Sequence, residues 1–299
     1  MLEGLFGLLG RGRVRVALSV MAASAMVVLL ASLSPVQTMA GSLLSIFRVQ
    51  RFVTVQVDPS AMPRIASPGE LGTLTTSGDA TVRRVTAEQA EQAVGFKIPT
   101  VGRLPADLEA KPWAITVTGA RSVTFTPDLK KVRAYLASIG AGDISLPDNL
   151  DGAPITLQIP AGVMELYLEK GGGRTSTEGV PMPQVGQHFL YVGATSSPTM
   201  TVPDGLDVER IRAEALKMPG LPAELVSQLK AIDDWRNTVV VPVVKGSSHE
   251  VIVQGQSGVA IVQPDGKGAT LIWARDGKVF AVSGSFSESE LLAVANSLR

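Results

Sequence analysis

The 299-residue sequence predicts an α+β fold, with mostly antiparallel sheets and flanking short helices, preceded by one transmembrane helix. Three observations carry this expectation. A long uncharged segment near the N-terminus is framed by arginines. Beyond it, short apolar runs outnumber helical patterns and follow one another between Gly, Pro and Asx turns, which favours antiparallel meanders. The helical patterns are short and carry strong end signals.

The anchor comes first in the chain. Between Arg15 and Arg48 no residue is charged, and residues 16–33, "VALSVMAASAMVVLLASL", are apolar or small throughout. As a helix they span roughly 27 Å, about the hydrocarbon thickness of a bilayer. Pro35 follows as a stop. Arg11, Arg13 and Arg15 precede the segment, so the positive-inside rule keeps the N-terminus cytoplasmic and the rest outside. A cleaved signal peptide ending at "TMA" before Gly41 is the alternative, but the apolar run exceeds the usual length of such a segment. The expected division is a cytoplasmic tail at 1–15, a transmembrane helix at 16–34, a juxtamembrane segment and linker at 35–85, and an extracytoplasmic α+β domain at 86–299. Within the last, 86–170 and 187–299 are candidate subdomains.

The outer elements follow in order. Leu43, Leu44 and Phe47 suit a helix leaving the membrane, and residues 52–57 alternate as a strand, with Phe52, Thr54 and Gln56 on one face. Residues 58–84 hold Pro59, Pro63 and Pro68 among Gly, Ser and Thr, and read as a linker. A short helix follows, capped by Thr86 with Gln89 in the capping-box position and ended by Gly95. "WAITVTGARSVTFT" reads as a strand pair around Gly119. The next helix is expected to start with Thr126 as cap and Pro127 at its first position, to bury Leu129, Val132 and Leu136, and to end at Gly140. "APITLQIP", "GVMELYLEK" and "HFLYVGATSSP" are strand-like, and "GGGRTSTEGVPMP" is a loop. Helices at 206–218 and 222–233 follow, the second with Leu225, Leu229 and Ile232 on one face. Four strands are expected at 238–244, 250–254, 258–262 and 269–274. Asp276-Gly277 then turns a last hairpin, and Ser287 with Glu290 caps a helix that buries Leu291, Val294, Ala295 and Leu298.

Composition narrows the function. Lys+Arg and Asp+Glu are both 27, without the basic excess of a nucleic-acid footprint. Cysteine is absent, which excludes disulfides, thiolate zinc sites, a thiol nucleophile and a lipidated N-terminal Cys. Attachment to a membrane therefore requires a peptide segment. His188 and His249, the only histidines, stand far apart in sequence, each without ligand spacing around it. Asp233 and Asp234 in "DDWR" are adjacent carboxylates at a helix end, where turn formation competes with acid–base chemistry. "GGGR" lacks the phosphate-loop pattern, and no serine sits in a G-x-S-x-G elbow. Trp113, Trp235 and Trp273 read as packing anchors. The sequence thus assigns no catalytic, cofactor or metal residue, and the chain is expected not to be an enzyme.

Two stretches carry a family likeness. "EQAVGFKIPTVGRLPADL", with Val94, Gly95, Phe96, Pro99, Leu104 and Pro105, resembles the opening of an uncharacterised extracytoplasmic domain of bacterial membrane-anchored anti-sigma-factor-like proteins. The 271–298 stretch resembles the closing motif of the same family through Trp273, Gly277, Ser283, Gly284, Ser287, Glu290, Leu291, Leu292, Ala295, Ser297 and Leu298. "FRVQRF" is similar to the segment that follows the membrane helix there. Without cysteine and with only about fifteen residues before the apolar segment, the chain is expected to lack the cytoplasmic zinc anti-sigma domain of such proteins. The resemblance implies an outward sensing or interaction domain, an accessory of envelope or sigma-factor signalling with a separate protein partner. The alternative is a membrane-tethered binding protein for lipid or another apolar ligand.

Overall fold

The computed structural model describes residues 44–57, 66–173, 175–177, 180–244, 248–263 and 266–299. Among the described residues no helix is long and apolar enough to cross a membrane; the expected anchor at 16–34 lies outside them. The strands are β1 (Leu44–Arg48), β2 (Arg51–Val57), β3 (Gly72–Gly78), β4 (Val82–Val85), β5 (Ala114–Thr118), β6 (Arg121–Pro127), β7 (Ile155–Ile159), β8 (Gly162–Leu168), β9 (Thr175–Thr177), β10 (Val180–Met182), β11 (Phe189–Ser196), β12 (Thr199–Pro203), β13 (Thr238–Val244), β14 (Ser248–Val253), β15 (Gln256–Val262), β16 (Ala269–Arg275) and β17 (Lys278–Gly284).

An eight-stranded antiparallel sheet has the order β14-β15-β16-β17-β11-β8-β5-β4, and a five-stranded antiparallel sheet the order β1-β12-β7-β6-β3. β13 and β2 pair in parallel, and β9 with β10 forms a small hairpin. The mostly antiparallel α+β architecture is the one the sequence predicts.

The two large sheets share four long strands. β4 continues β3, β6 continues β5, β8 continues β7 and β12 continues β11, and the two sheets keep these segments in the same lateral order. The breaks fall in register across the sheet, at 79–81, 119–120, 160–161 and 197–198. Pro160, Pro198 and Gly119 stand in them; proline removes a ladder donor and glycine admits a close approach. A Cβ on Gly119 would come within 2.3 Å of the Asp79 carbonyl oxygen on the neighbouring break. The strand pair expected around Gly119 is therefore not a hairpin: β5 and β6 do not pair with each other, and the break at 119–120 carries the chain from one sheet into the other.

Three further expectations are corrected. Residues 44–48 form the edge strand β1, paired with β12 from Leu44↔Pro203 to Arg48↔Thr199, and not a helix. The stretch expected as a linker contains the edge strands β3, whose threonines favour extended backbone without apolar alternation, and β4, a four-residue strand paired to β5. The helix Leu129–Ser138 is capped by Asp128, whose Oδ1 accepts from Lys131 N at 3.1 Å. Pro127 cannot start that helix because it still pairs with Gly72 in the ladder.

One face of the large sheet is covered by the helices Ala87–Val94 and Glu288–Asn296, through Ala90, Leu291, Val294 and Ala295. Both capping boxes are formed as expected, Thr86 with Gln89 and Ser287 with Glu290. Trp273, fully buried on this face, stacks on Phe280 with centroids 5.4 Å apart. The opposite face packs Val259, Ile272 and Ala274 against Phe52 and Val241 of the parallel pair. The helix Ala223–Lys230 closes the far side of that pair, its Leu225 and the following Ile232 clustering with Val55. The helices Leu129–Ser138 and Val208–Ala215 cover one face of the small sheet around Phe47, Leu129, Leu150 and Val202.

Candidate functional site

The strongest polar constellation lies where β8 ends and β11 begins. Their last rung is Phe189↔Leu168. One residue beyond it, Glu169 N donates to the His188 carbonyl at 3.0 Å, and His188 N donates to Glu169 Oε2 at 3.3 Å. Strand alternation puts Glu165, Tyr167 and Glu169 on one face of β8, beside His188, Leu190 and Val192 of the neighbouring strand.

The segment before β5 then crosses this corner. Leu108, 2% exposed, bridges to Glu169. Lys170 N donates to the Asp107 carbonyl at 2.9 Å and Lys170 Nζ to the Ala106 carbonyl at 2.7 Å. These bonds set the Asp107 carboxylate against His188 Nδ1. Phe286, itself buried, meets the imidazole edge-on at 5.3 Å. One ligand atom from each of Asp107, Glu169 and His188 lies within 4.8 Å of the other two. The imidazole is half exposed. Its pKa is raised, chiefly by the hydrogen bond to Asp107; partial burial opposes the rise, and Asp107, Glu169 and Glu290 add to it through their charge.

Beside the cluster runs an open groove of about 710 Å³, lined among others by Glu109, Lys111, Trp113, Glu169 and Gly172. Gly172 N donates to the Glu169 carbonyl at 3.0 Å, so the first part of "GGGR" is a turn that closes β8. Arg84 lies 5.0 Å over the Trp113 ring on the same side of the sheet edge. Gln187, 8% exposed, accepts from Gln184 N at 3.0 Å, while its Nε2 is buried without a partner among the described residues.

Deeper on the same face of β8, Glu165 is 5% exposed and accepts from Tyr167 Oη at 3.2 Å. Burial between apolar strands pushes its pKa up to about 7, against which the Tyr167 bond pulls only partly. Tyr167 is raised as well, first by burial and then by the charge of Glu165.

The residues weighed from sequence fare differently. His188 is not alone: antiparallel pairing delivers Glu169, 19 positions away, and the crossing segment delivers Asp107, 81 positions away. His249 is also partnered, Nε2 lying 2.9 Å from Glu288 Oε1. Asp233 and Asp234 form no converging pair. The Asp234 carboxylate accepts from Asn237 Nδ2 at 3.0 Å and its carbonyl from Thr238 Oγ1 at 2.6 Å, as befits a turn. Trp273 is a core anchor, whereas Trp113 and Trp235 are half-buried under arginines. The missed signal was the even spacing of Glu165 and Glu169 in "ELYLE", which puts both carboxylates on one strand face.

No protein-family model, no curated protein and no solved structure matches this chain.

Proposed function

We propose that this chain is a single-pass membrane protein whose part beyond the apolar segment is an extracytoplasmic sensing or interaction domain, an accessory of envelope or sigma-factor signalling that binds rather than catalyses. The observation that carries this reading is the uncharged segment 16–33 set directly behind Arg11, Arg13 and Arg15, long enough to span a bilayer and oriented by the arginines.

The entry of the chain into the fold supports it. About ten residues separate the apolar segment from β1, at most roughly 35 Å of extended chain, so the domain stands close to the membrane surface. β1 is clasped from outside its sheet. Phe47 stacks on Trp235 at 6.3 Å, and Arg236 lies 5.4 Å over the Phe47 ring. Arg212 covers Trp235 at 5.4 Å, and Glu209 accepts from Trp235 Nε1 at 3.0 Å. Two residues after β1, β2 enters the layer beneath the large sheet, where Phe52 is 1% exposed. β1 and β2 thus tie the start of the described chain to both the small sheet and the layer beneath the large one. The groove beside the polar cluster is rimmed by Glu109, Lys111 and Glu169, which favours a polar ligand or a protein partner over the acyl chain required by the alternative reading as a lipid carrier.

Protease accessibility of the full chain in sealed membranes tests the topology: the region beyond residue 44 is digested only from outside. A mature chain beginning near Gly41 removes the anchor from the reading. Cross-linking in intact membranes followed by affinity recovery tests the signalling role; a specific protein partner is expected, and recovery of this chain alone removes it.

A further inference from the structure

We propose that Asp107, Glu169 and His188 bind a divalent first-row transition cation of the Zn²⁺ class. The inference stands whether or not the chain is membrane-anchored. An imidazole with two carboxylates is a nitrogen–oxygen donor set that suits such ions, whereas Ca²⁺ and Mg²⁺ take oxygen ligands alone. Three protein ligands with half-exposed side chains leave coordination positions for water, as exchangeable or catalytic sites do and closed structural sites do not.

The geometry is held by backbone. Glu169 and His188 are locked opposite each other, one step beyond the last rung of the β8–β11 pair. Asp107 is locked by the Leu108↔Glu169 bridge and by the Lys170 N bond to its carbonyl. The donor atoms lie within 4.8 Å of one another. Metal bonds of about 2.0–2.2 Å put ligand atoms roughly 3.4 Å apart around a tetrahedral ion, which small side-chain rotations supply. Outer support is in place too: Phe286 fixes the imidazole plane, and the His188 backbone N–H holds Glu169 Oε2. Lys170, next to Glu169 in the chain, is directed elsewhere, its Nζ donating to the Ala106 carbonyl at 2.7 Å. Two carboxylates against one imidazole leave the cluster with the negative charge a cation requires. His249 with Glu288 supplies one imidazole and one carboxylate, a two-ligand pair that serves as an internal control.

The test is calorimetric titration of the full chain, purified in detergent and stripped by chelator, with Zn²⁺ and separately with Mg²⁺. One saturable Zn²⁺ equivalent is expected, with Mg²⁺ far weaker. His188→Ala and Glu169→Gln each weaken Zn²⁺ binding by at least the roughly tenfold that losing even an outer partner costs, while His249→Ala leaves it unchanged. Circular dichroism identifies folded variants. If His188→Ala misfolds, the near-isosteric Asp107→Asn and Glu169→Gln decide. Electron paramagnetic resonance of the Cu²⁺-loaded wild type is expected to show one coordinated imidazole nitrogen. Absence of saturable Zn²⁺ binding, equal affinity for Mg²⁺, retention of binding in Asp107→Asn and Glu169→Gln, loss in His249→Ala, or a copper spectrum without imidazole nitrogen each overturns the site.

Discussion

Strand β16 of the eight-stranded sheet is buried on both faces, with Thr270 paired to Ser283 as its one buried hydroxyl contact, whereas the five-stranded sheet packs helices on one face and sets hydroxyls on the other. In β16 every residue from Ala269 to Ala274 is buried. In the small sheet, register aligns Thr75, Thr124, Thr156 and Thr201 in one row across four strands, with Ser77, Ser122, Gln158 and Thr199 in the next. Hydroxyls bond across these rows, Ser77 to Ser122 at 2.8 Å and Thr124 to Thr156 at 2.5 Å. The doubly buried strand β16 belongs to the part of the large sheet that does not continue into the small one, so the two ways of stabilising a strand are separated by the shared strands β11, β8, β5 and β4. One relies on burial of apolar area. The other relies on the backbone ladder and on cross-strand hydroxyl pairs, each contributing well under about 1 kcal/mol.

That contrast can be broken most directly at Trp273. Trp273→Ala removes a fully buried indole from the two-faced sheet and is expected to cost about 3–5 kcal/mol in urea unfolding of the full chain. Loss below about 1 kcal/mol would mean that this half is not the stability centre.

The next largest effect is a pH dependence inside the same sheet. Glu165 has its folded pKa raised from an ordinary 4.5 to about 7. A raised pKa means that the folded state holds the proton longer than the unfolded chain, so the stabilising contribution is complete below pH 4.5 and is lost as pH rises to about 7. The shift corresponds to about 3 kcal/mol at most. Urea midpoints measured between pH 4.5 and 7.5 are expected to fall with pH, and Glu165→Gln is expected to flatten that slope. An unchanged slope in the variant would remove Glu165 as its source.

Gly277→Ala comes third. Gly277 has φ +70° in the β16–β17 turn, with Asp276 also at positive φ, the signature of a two-residue hairpin turn. An added Cβ is expected to cost about 1 kcal/mol through backbone strain rather than lost contacts, visible as a lower melting temperature with an unchanged spectrum. The smallest effect belongs to the small sheet's edge. Leu74 is 39% exposed on β3, so Leu74→Thr is expected to stay within about 0.5 kcal/mol. A cost above about 2 kcal/mol would show that this face is buried in solution.

Legibility in the sequence followed the same division. The 271–298 module was readable because each of its signals is local: alternation in β16 and β17, an Asp-Gly turn, a Ser287–Glu290 box and a leucine stripe. β3 was unreadable because "GTLTTSG" has no apolar period, and its partner β6 lies some fifty residues away. Gly119 is ambiguous in sequence because a Gly between two strand-like runs serves equally as a hairpin turn or as a break between sheets. The candidate site was least readable of all, since each of its three side chains is unremarkable where it stands in the chain.

The sequence by itself determined part of the short-range structure of the protein: the 271–298 hairpin and helix, the capping boxes at Thr86 and Ser287, the absence of cysteine chemistry, and one apolar stretch long enough to span a bilayer. These follow from interactions within a few residues, or from composition. Only the tertiary structure decided that four strands bend from one sheet into another, that β1 is clasped by Trp235 and Arg236, and that Asp107, Glu169 and His188 meet. Those outcomes depend on sheet register, which aligns residues tens of positions apart through a backbone ladder that side-chain identity only weakly specifies.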